Sequence, residues 1–167
     1  MTPASSPSFI AALHTDRPAP DRAEKLALYG QFIGGWEMDA VLHREDGTTA
    51  RGKGAIHFGW VLEGRAVQDV WILPDIFYGT TLRVWDPTID AWHILWSDPM
   101  RQVYRRMIGR AQGADIVQDG EDENGTPVRW KFTEITAESF HWIAERATGD
   151  GAGWQRLVDF YARRVRA

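Results

Sequence analysis

Val128-Arg129-Trp130-Lys131-Phe132-Thr133 alternates apolar and polar side chains without a break. Period-two alternation marks a strand with one buried face, because successive side chains leave a pleated backbone on opposite sides. Val128, Trp130 and Phe132 therefore point to a core, and Arg129, Lys131 and Thr133 point to solvent. Asn124-Gly125 stands just upstream, a dipeptide that a tight hairpin turn favours.

The same period runs outward from this segment over nearly the whole chain. Strands are expected at 36–44, 48–60, 65–73, 78–85, 91–97, 101–108, 114–119, 127–135, 139–147 and 154–163. Asp46-Gly47, Glu63-Gly64, Pro74, Asp86-Pro87, Gly120 and Gly149-Asp150-Gly151 separate them. About ten strands in meander order would curl or split as an open sheet, so the expected fold is mainly β, an antiparallel up-and-down barrel. Gly52 and Gly54 mark a bulge or a sharp bend in the second strand. One short amphipathic helix precedes the strands. Asp21 is its expected N-cap with Glu24 completing a capping box, and Leu26, Leu28, Tyr29, Phe32 and Ile33 fall near helical spacing before Gly34-Gly35. Residues 1–20, rich in Pro and Ser, read as a loosely ordered N-terminal arm, and residues 21–167 as the barrel domain.

At 167 residues the chain has the length of a single domain. It has no cysteine, which removes disulfides, thiolate nucleophiles, Cys-zinc sites and iron–sulfur clusters. Nineteen Lys and Arg against 23 Asp and Glu give a net charge of −4, which argues against a nucleic-acid partner. No apolar run is long enough to span a membrane. No basic segment followed by an apolar stretch opens the chain, so the expected location is cytoplasmic. The unusual number is nine Trp, which either fill a core or line a pocket for a flat ligand.

Two strands resist sorting into faces. Ala66–Leu73 is apolar on both sides, with Gln68 on one and Asp69 on the other. Such a strand fits a wall around a partly polar cavity, or one covered outside by the helix or by a second copy of the chain. In the segment 102–108, Tyr104, Arg106 and Ile108 share one face, and Val103, Arg105 and Met107 share the other. One of two adjacent arginines must then turn inward, where it needs a partner such as Asp69 or Glu134.

Phe32-Ile33-Gly34-Gly35-Trp36 resembles the opening of calycin barrels, among them lipocalins, fatty-acid-binding proteins and nitrobindin-type haem barrels. The chain is more closely similar to a family of small bacterial calycin-like domains with no settled chemistry. Leu62–Trp71, Tyr78–Pro87, Ala91–Trp96, Arg129–Phe132 and Ser139–Trp142 carry the similarity, which spans roughly residues 22 to 163. The resemblance implies a calycin-like barrel with an internal cavity. It departs from the nitrobindin type, whose opening is a longer Gly-x-Trp-x-Gly-x-Gly, because Glu37-Met38-Asp39-Ala40 follows Trp36 here. His141 is the one histidine positioned as an axial haem ligand. It shares the parity of Ile143 and Glu145, opposite to Phe140 and Trp142, which disfavours haem.

No dinucleotide fingerprint, P-loop or nucleophile elbow is present. His14, His43, His57, His93 and His141 are too far apart to form a local metal pair, so neither a metal nor a cofactor is expected. An acid, a cation and a phenol remain. The leading expectation is binding of a small, largely apolar or aromatic molecule by Asp69, Trp71, Trp96, Tyr104, Arg106 and Trp130. Tyr78 and Trp142 rank next, and Arg83 is the alternate cation. The catalytic alternative is a cofactor-free lyase, isomerase or cyclase acting on an aromatic or polyketide-like substrate. Asp69 would be its acid/base, with a pKa raised among Trp side chains. A haem-binding barrel and a purely structural homodimer packed through a sheet face complete the alternatives.

Overall fold

Turn residues cut the alternating pattern close to the expected places, and the pieces between them pair edge to edge until the sheet meets itself. In the computed structural model, which describes residues 6–166, two short elements come first: helix α1 (Phe9–Leu13) and strand β1 (His14–Thr15). A 3-10 turn (Pro20–Arg22) leads into helix α2 (Ala23–Gly30). The wall follows as β2 (Gly34–His43), β3 (Thr49–Val61), β4 (Ala66–Leu73), β5 (Phe77–Asp86), β6 (Ala91–Asp98) and β7 (Val103–Gln112). It continues as β8 (Asp115–Glu121), β9 (Pro127–Thr133), β10 (Ser139–Ala147) and β11 (Trp154–Arg164). Each strand from β2 onward pairs antiparallel with the next, and β11 pairs back onto β2. The result is a closed ten-stranded up-and-down barrel, which leaves no long unpaired edge.

Register carries the inward-facing set from strand to strand. Phe58 stands opposite Asp69, Asp69 opposite Thr81, Thr81 opposite Trp96, and Trp96 opposite Arg105. Because side chains alternate strictly, this one row assigns the inner face of five strands.

Helix α2 shuts one end of the barrel. Leu26 and Tyr29 are fully buried on its inner face, and Phe32, just beyond its last turn, packs on Phe58, Phe132 and Phe140. The chain leaving the helix is tied down by polar contacts. The Trp36 indole N–H donates to the Phe32 carbonyl at 2.7 Å. Arg164 donates to the Ile33 and Gln31 carbonyls at 2.7 and 2.8 Å, and its guanidinium covers the Trp36 ring at 4.1 Å. Carbonyls near a helix end that would otherwise lack donors are thus satisfied from the last strand.

Two local expectations change. Asp21 does not cap the helix: it lies in the 3-10 turn, the N-cap position falls to Arg22 with no side-chain bond, and the Asp21 carboxylate accepts from Arg65 at 3.2 Å. Gly52 and Gly54 mark no bulge, since β2 and β3 pair without a break across them. The register shift is at Ala144 and Glu145, between β10 and β11. Gly54 serves close approach instead, because a Cβ there would collide with the Ile72 carbonyl and the Met38 methyl. In the N-terminal arm, His14 and Thr15 pair with Val61 and Trp60, and residues 1–5 lie outside the described residues. Among the described residues no helix is long and apolar enough to cross a membrane.

Candidate functional site

The end of the barrel away from α2 opens into a cavity of about 420 Å³, within the size range of small-molecule sites. Its floor is ionic. Asp69 on β4 and Arg83 on β5 are each 1% exposed, and the Arg83 guanidinium donates to Asp69 Oδ2. The other Asp69 oxygen accepts the Thr81 backbone N–H at 2.9 Å. Arg83 lies over the Tyr29 ring at 5.0 Å, flanked by Phe58 and Phe132 at 5.6 and 5.7 Å. Burial draws its pKa down to about 10, so it keeps its charge at neutral pH. Burial also pushes the Tyr29 phenol well above its usual range, and that hydroxyl donates to Gln118 Oε1 at 3.1 Å. Arg83 and Thr81 line the cavity, while Asp69 stands behind them.

The wall is aromatic. Trp96 meets Phe77 at 6.1 Å between ring centroids, Phe77 meets Phe160 at 5.9 Å, and Phe160 stacks on Trp142 at 5.2 Å and 14°. Trp142 meets Trp130 at 5.4 Å, and Trp130 returns to Trp96 at 6.2 Å. These five rings form a closed circuit drawn from β5, β6, β9, β10 and β11. Trp71 touches it through Trp142 and Phe160. The Trp71 and Trp142 side chains line the cavity, yet neither indole N–H has an acceptor among the described residues.

The mouth is charged. Arg105 donates to Glu123 at 2.7 Å. Asp98 accepts the Met100 and Arg101 amides at 3.1 and 3.2 Å. Asp122 accepts the Thr126 and Asn124 amides, both at 2.9 Å, and those bonds hold its carboxyl below the usual range. Arg101 and Arg146 also line the mouth. Among the described residues the one carboxylate within ion-pair distance of Arg146 is that of Glu45, at 3.9 Å.

Of the residues singled out from the sequence, Trp71, Arg83, Trp96, Trp130 and Trp142 meet at this cavity. Tyr78, Tyr104 and Arg106 do not. They stand on the outer wall, with Tyr78 58% and Tyr104 57% exposed and Arg106 exposed beside them. The reason is register. Thr81 faces inward opposite Asp69, so Tyr78 faces outward, and Arg105 opposite Trp96 is the inward arginine. The partner of that arginine is also different, since Glu134 is exposed near His141 and Asp69 is taken by Arg83. Phe77, Phe160, Arg101, Arg105 and Arg146 were absent from the expected set. A parity argument carried from Trp96 across the β6–β7 turn would have found Arg105.

Haem does not fit the cavity. His141 is on the outer face, stacked on Tyr161 at 4.4 Å with Nε2 at 2.6 Å from Asp159. The cavity lining contains no His, Met, Cys or Tyr to ligate iron. Among the described residues no cluster of His, Cys, Asp and Glu could hold a metal ion.

Fold and cavity together define a closed barrel with one plugged end and one open, aromatic end. No family model and no curated protein matches the sequence. Among solved structures, the S-type phycobiliprotein lyase CPES from Guillardia theta is similar, with a TM-score of 0.64 and 12% identity. The match covers 90% of this chain and 99% of that one. Rv2717c from M. tuberculosis is similar at a TM-score of 0.62 and 11% identity, over 89% of this chain and 99% of that one. At these identities the likeness is one of fold.

Proposed function

We propose that this protein is a calycin-like barrel that binds a small, largely apolar, aromatic molecule in its open cavity. The observation that carries the reading is the closed circuit of Trp96, Phe77, Phe160, Trp142 and Trp130 around that cavity. Aromatic rings offer a flat guest both large apolar area and edge-to-face contacts. The two structural neighbours support a barrel of this size and closure, and one of them is by name a phycobiliprotein lyase, compatible with handling a small ligand. In this reading Asp69 anchors Arg83, one oxygen accepting from the guanidinium and the other from the Thr81 backbone N–H.

Titration with phenylnaphthylamine, a neutral dye whose emission rises in apolar surroundings, tests the proposal. The wild-type protein is expected to bind it with quenching of Trp emission. Ala144 is inward-facing and lines the cavity, so Ala144→Phe should weaken binding about tenfold by filling the space while the far-UV spectrum stays unchanged. Binding that is absent from the wild type, or equally strong in a folded Ala144→Phe variant, would overturn it.

A further inference from the structure

We infer that the ligand of this cavity is an anion: a flat, conjugated carboxylate or sulfonate. Its body lies inside the aromatic circuit and its acid group meets Arg101 and Arg146 at the mouth. The inference rests on the cavity being the binding site, and adds the chemical class of what enters it.

The argument begins with unmet hydrogen bonds. Every buried side-chain polar atom without a partner among the described residues is a nitrogen, and three of these atoms belong to cavity residues: Trp71 Nε1, Trp142 Nε1 and Arg83 Nε. All three are N–H donors that can never accept. Trp71 is 4% and Trp142 7% exposed, so both indoles are buried in the cavity wall. A buried donor without an acceptor is destabilising, and a guest that brings oxygen acceptors removes that penalty after a small turn of the indole rings. A hydrocarbon guest would leave all three unmet.

The mouth points the same way. Its formal charges balance, Arg101, Arg105 and Arg146 against Asp98, Asp122 and Glu123, so net charge does not select the ligand. The pairing of the cations does. Asp98 and Asp122 accept backbone amides of their own turns, and Glu123 is held by Arg105. The Arg101 guanidinium has no carboxylate within ion-pair distance among the described residues, and Arg146 has one only at 3.9 Å. The cations of the mouth not held by a close carboxylate are therefore two guanidinium groups, the side chains best shaped to grip a carboxylate or sulfonate through paired N–H bonds. The interior therefore asks for oxygen acceptors on the flat frame and the rim for an acid group at its outer end, and a conjugated anion can carry both.

Two dyes with the same ring systems separate this inference from the reading beneath it. Anilinonaphthalene sulfonate carries an acid group and phenylnaphthylamine does not. The sulfonate is expected to bind the wild-type protein about tenfold more tightly at low salt. Arg101→Ala combined with Arg146→Ala should bring its affinity down to that of the neutral dye, whose own binding stays unchanged. Arg101→Lys with Arg146→Lys should retain part of the preference, because charge persists while the paired geometry is lost. Equal affinities of the two dyes for the wild type, or a double alanine variant that weakens both alike, would overturn the anion inference and leave the cavity standing. If neither dye binds, the cavity reading fails and the inference fails with it.

Discussion

The Asp69 carboxylate and the Arg83 guanidinium meet inside the barrel, one strand apart, with neither reaching solvent. A lone charge at that depth would be expelled, and the pair persists because each group satisfies the other and is itself supported. Thr81 donates to Asp69, and three aromatic faces surround Arg83. The pair also joins the two halves of the barrel interior, since Tyr29 of the plugging helix lies on one side of Arg83 and the open cavity on the other.

Breaking this pair should therefore be more damaging than removing it. Arg83→Met leaves Asp69 ionised and buried, and is expected to lower unfolding stability by about 3–5 kcal/mol. Asp69→Leu leaves Arg83 in the same position and should cost about as much. Combining them replaces both charges with apolar groups of comparable volume and should cost less than either alone. Urea unfolding of the four proteins closes the double-mutant cycle. A double variant as damaged as the sum of the singles would show that the two charges act independently.

The strands were largely legible because their signal is local. Alternation in the segment 127–135 and the turn at Asn124-Gly125 locate β9, and β10 spans the expected 139–147. The cavity was legible only in part, because a strand's pattern does not state its register. Val103, Arg105 and Met107 carry as much apolar character as Tyr104, Arg106 and Ile108, so β7 alone cannot choose its inner face. The pairing of Trp96 with Arg105 chooses it. Phe77 was missed through a one-residue error at the start of β5. The circuit of rings was not legible, because the two contacts that close it, Phe77 with Phe160 and Trp130 with Trp96, cross the barrel between strands that are not neighbours.

Close packing of β3 on β4 gives a second prediction. Gly54 lies where any Cβ would run into the Ile72 carbonyl and the Met38 methyl. The obstructing atom on β4 is backbone, which cannot swing aside. Gly54→Val is expected to destabilise the barrel by ~3 kcal/mol. Gly47, whose φ is +82° but which has open space around it, should tolerate Ala better, at about 1 kcal/mol for the left-handed backbone alone. Thermal unfolding of Gly54→Val and Gly47→Ala side by side measures the difference, and equal losses would contradict the close-approach role.

Acid titration gives a third. On the outer wall, His43 and His141 each direct Nε2 at Asp159, at 2.7 and 2.6 Å, and Arg156 donates to it at 2.6 Å. Burial acts to raise the Asp159 carboxyl, but the hydrogen bonds from His43, His141 and Arg156 outweigh it and hold the group below its ordinary 3.8. A carboxyl with a lower pKa folded than unfolded stabilises the fold in its ionised form. Its contribution is complete above the unfolded value of about 4 and is lost as pH falls through the lower folded value. Asp159→Asn should therefore be less stable than wild type at pH 7, with the gap narrowing on acidification. Urea midpoints across that range test it, and a gap that stays constant would assign the loss to geometry rather than charge.

The last prediction separates the two adjacent arginines of β7. Arg105 faces the cavity and bonds to Glu123 across its mouth, whereas Arg106 is exposed on the outer wall beside Tyr104. Tyr104 is already engaged there, its hydroxyl donating to Gln102 at 2.8 Å. Arg106→Ala and Tyr104→Ser should each leave dye affinity within about twofold of wild type, since surface changes away from the site alter energies by no more than ~0.5 kcal/mol. Arg105→Ala frees Glu123 at the mouth and removes an inward guanidinium. It should weaken the sulfonate dye several-fold more than the neutral one, because an unpaired carboxylate repels an anion and leaves a neutral guest indifferent. Fluorescence titration of these variants with both dyes decides between the faces. A loss of affinity in Arg106→Ala that matches Arg105→Ala would mean that the inner face of β7 had been assigned to the wrong set of side chains.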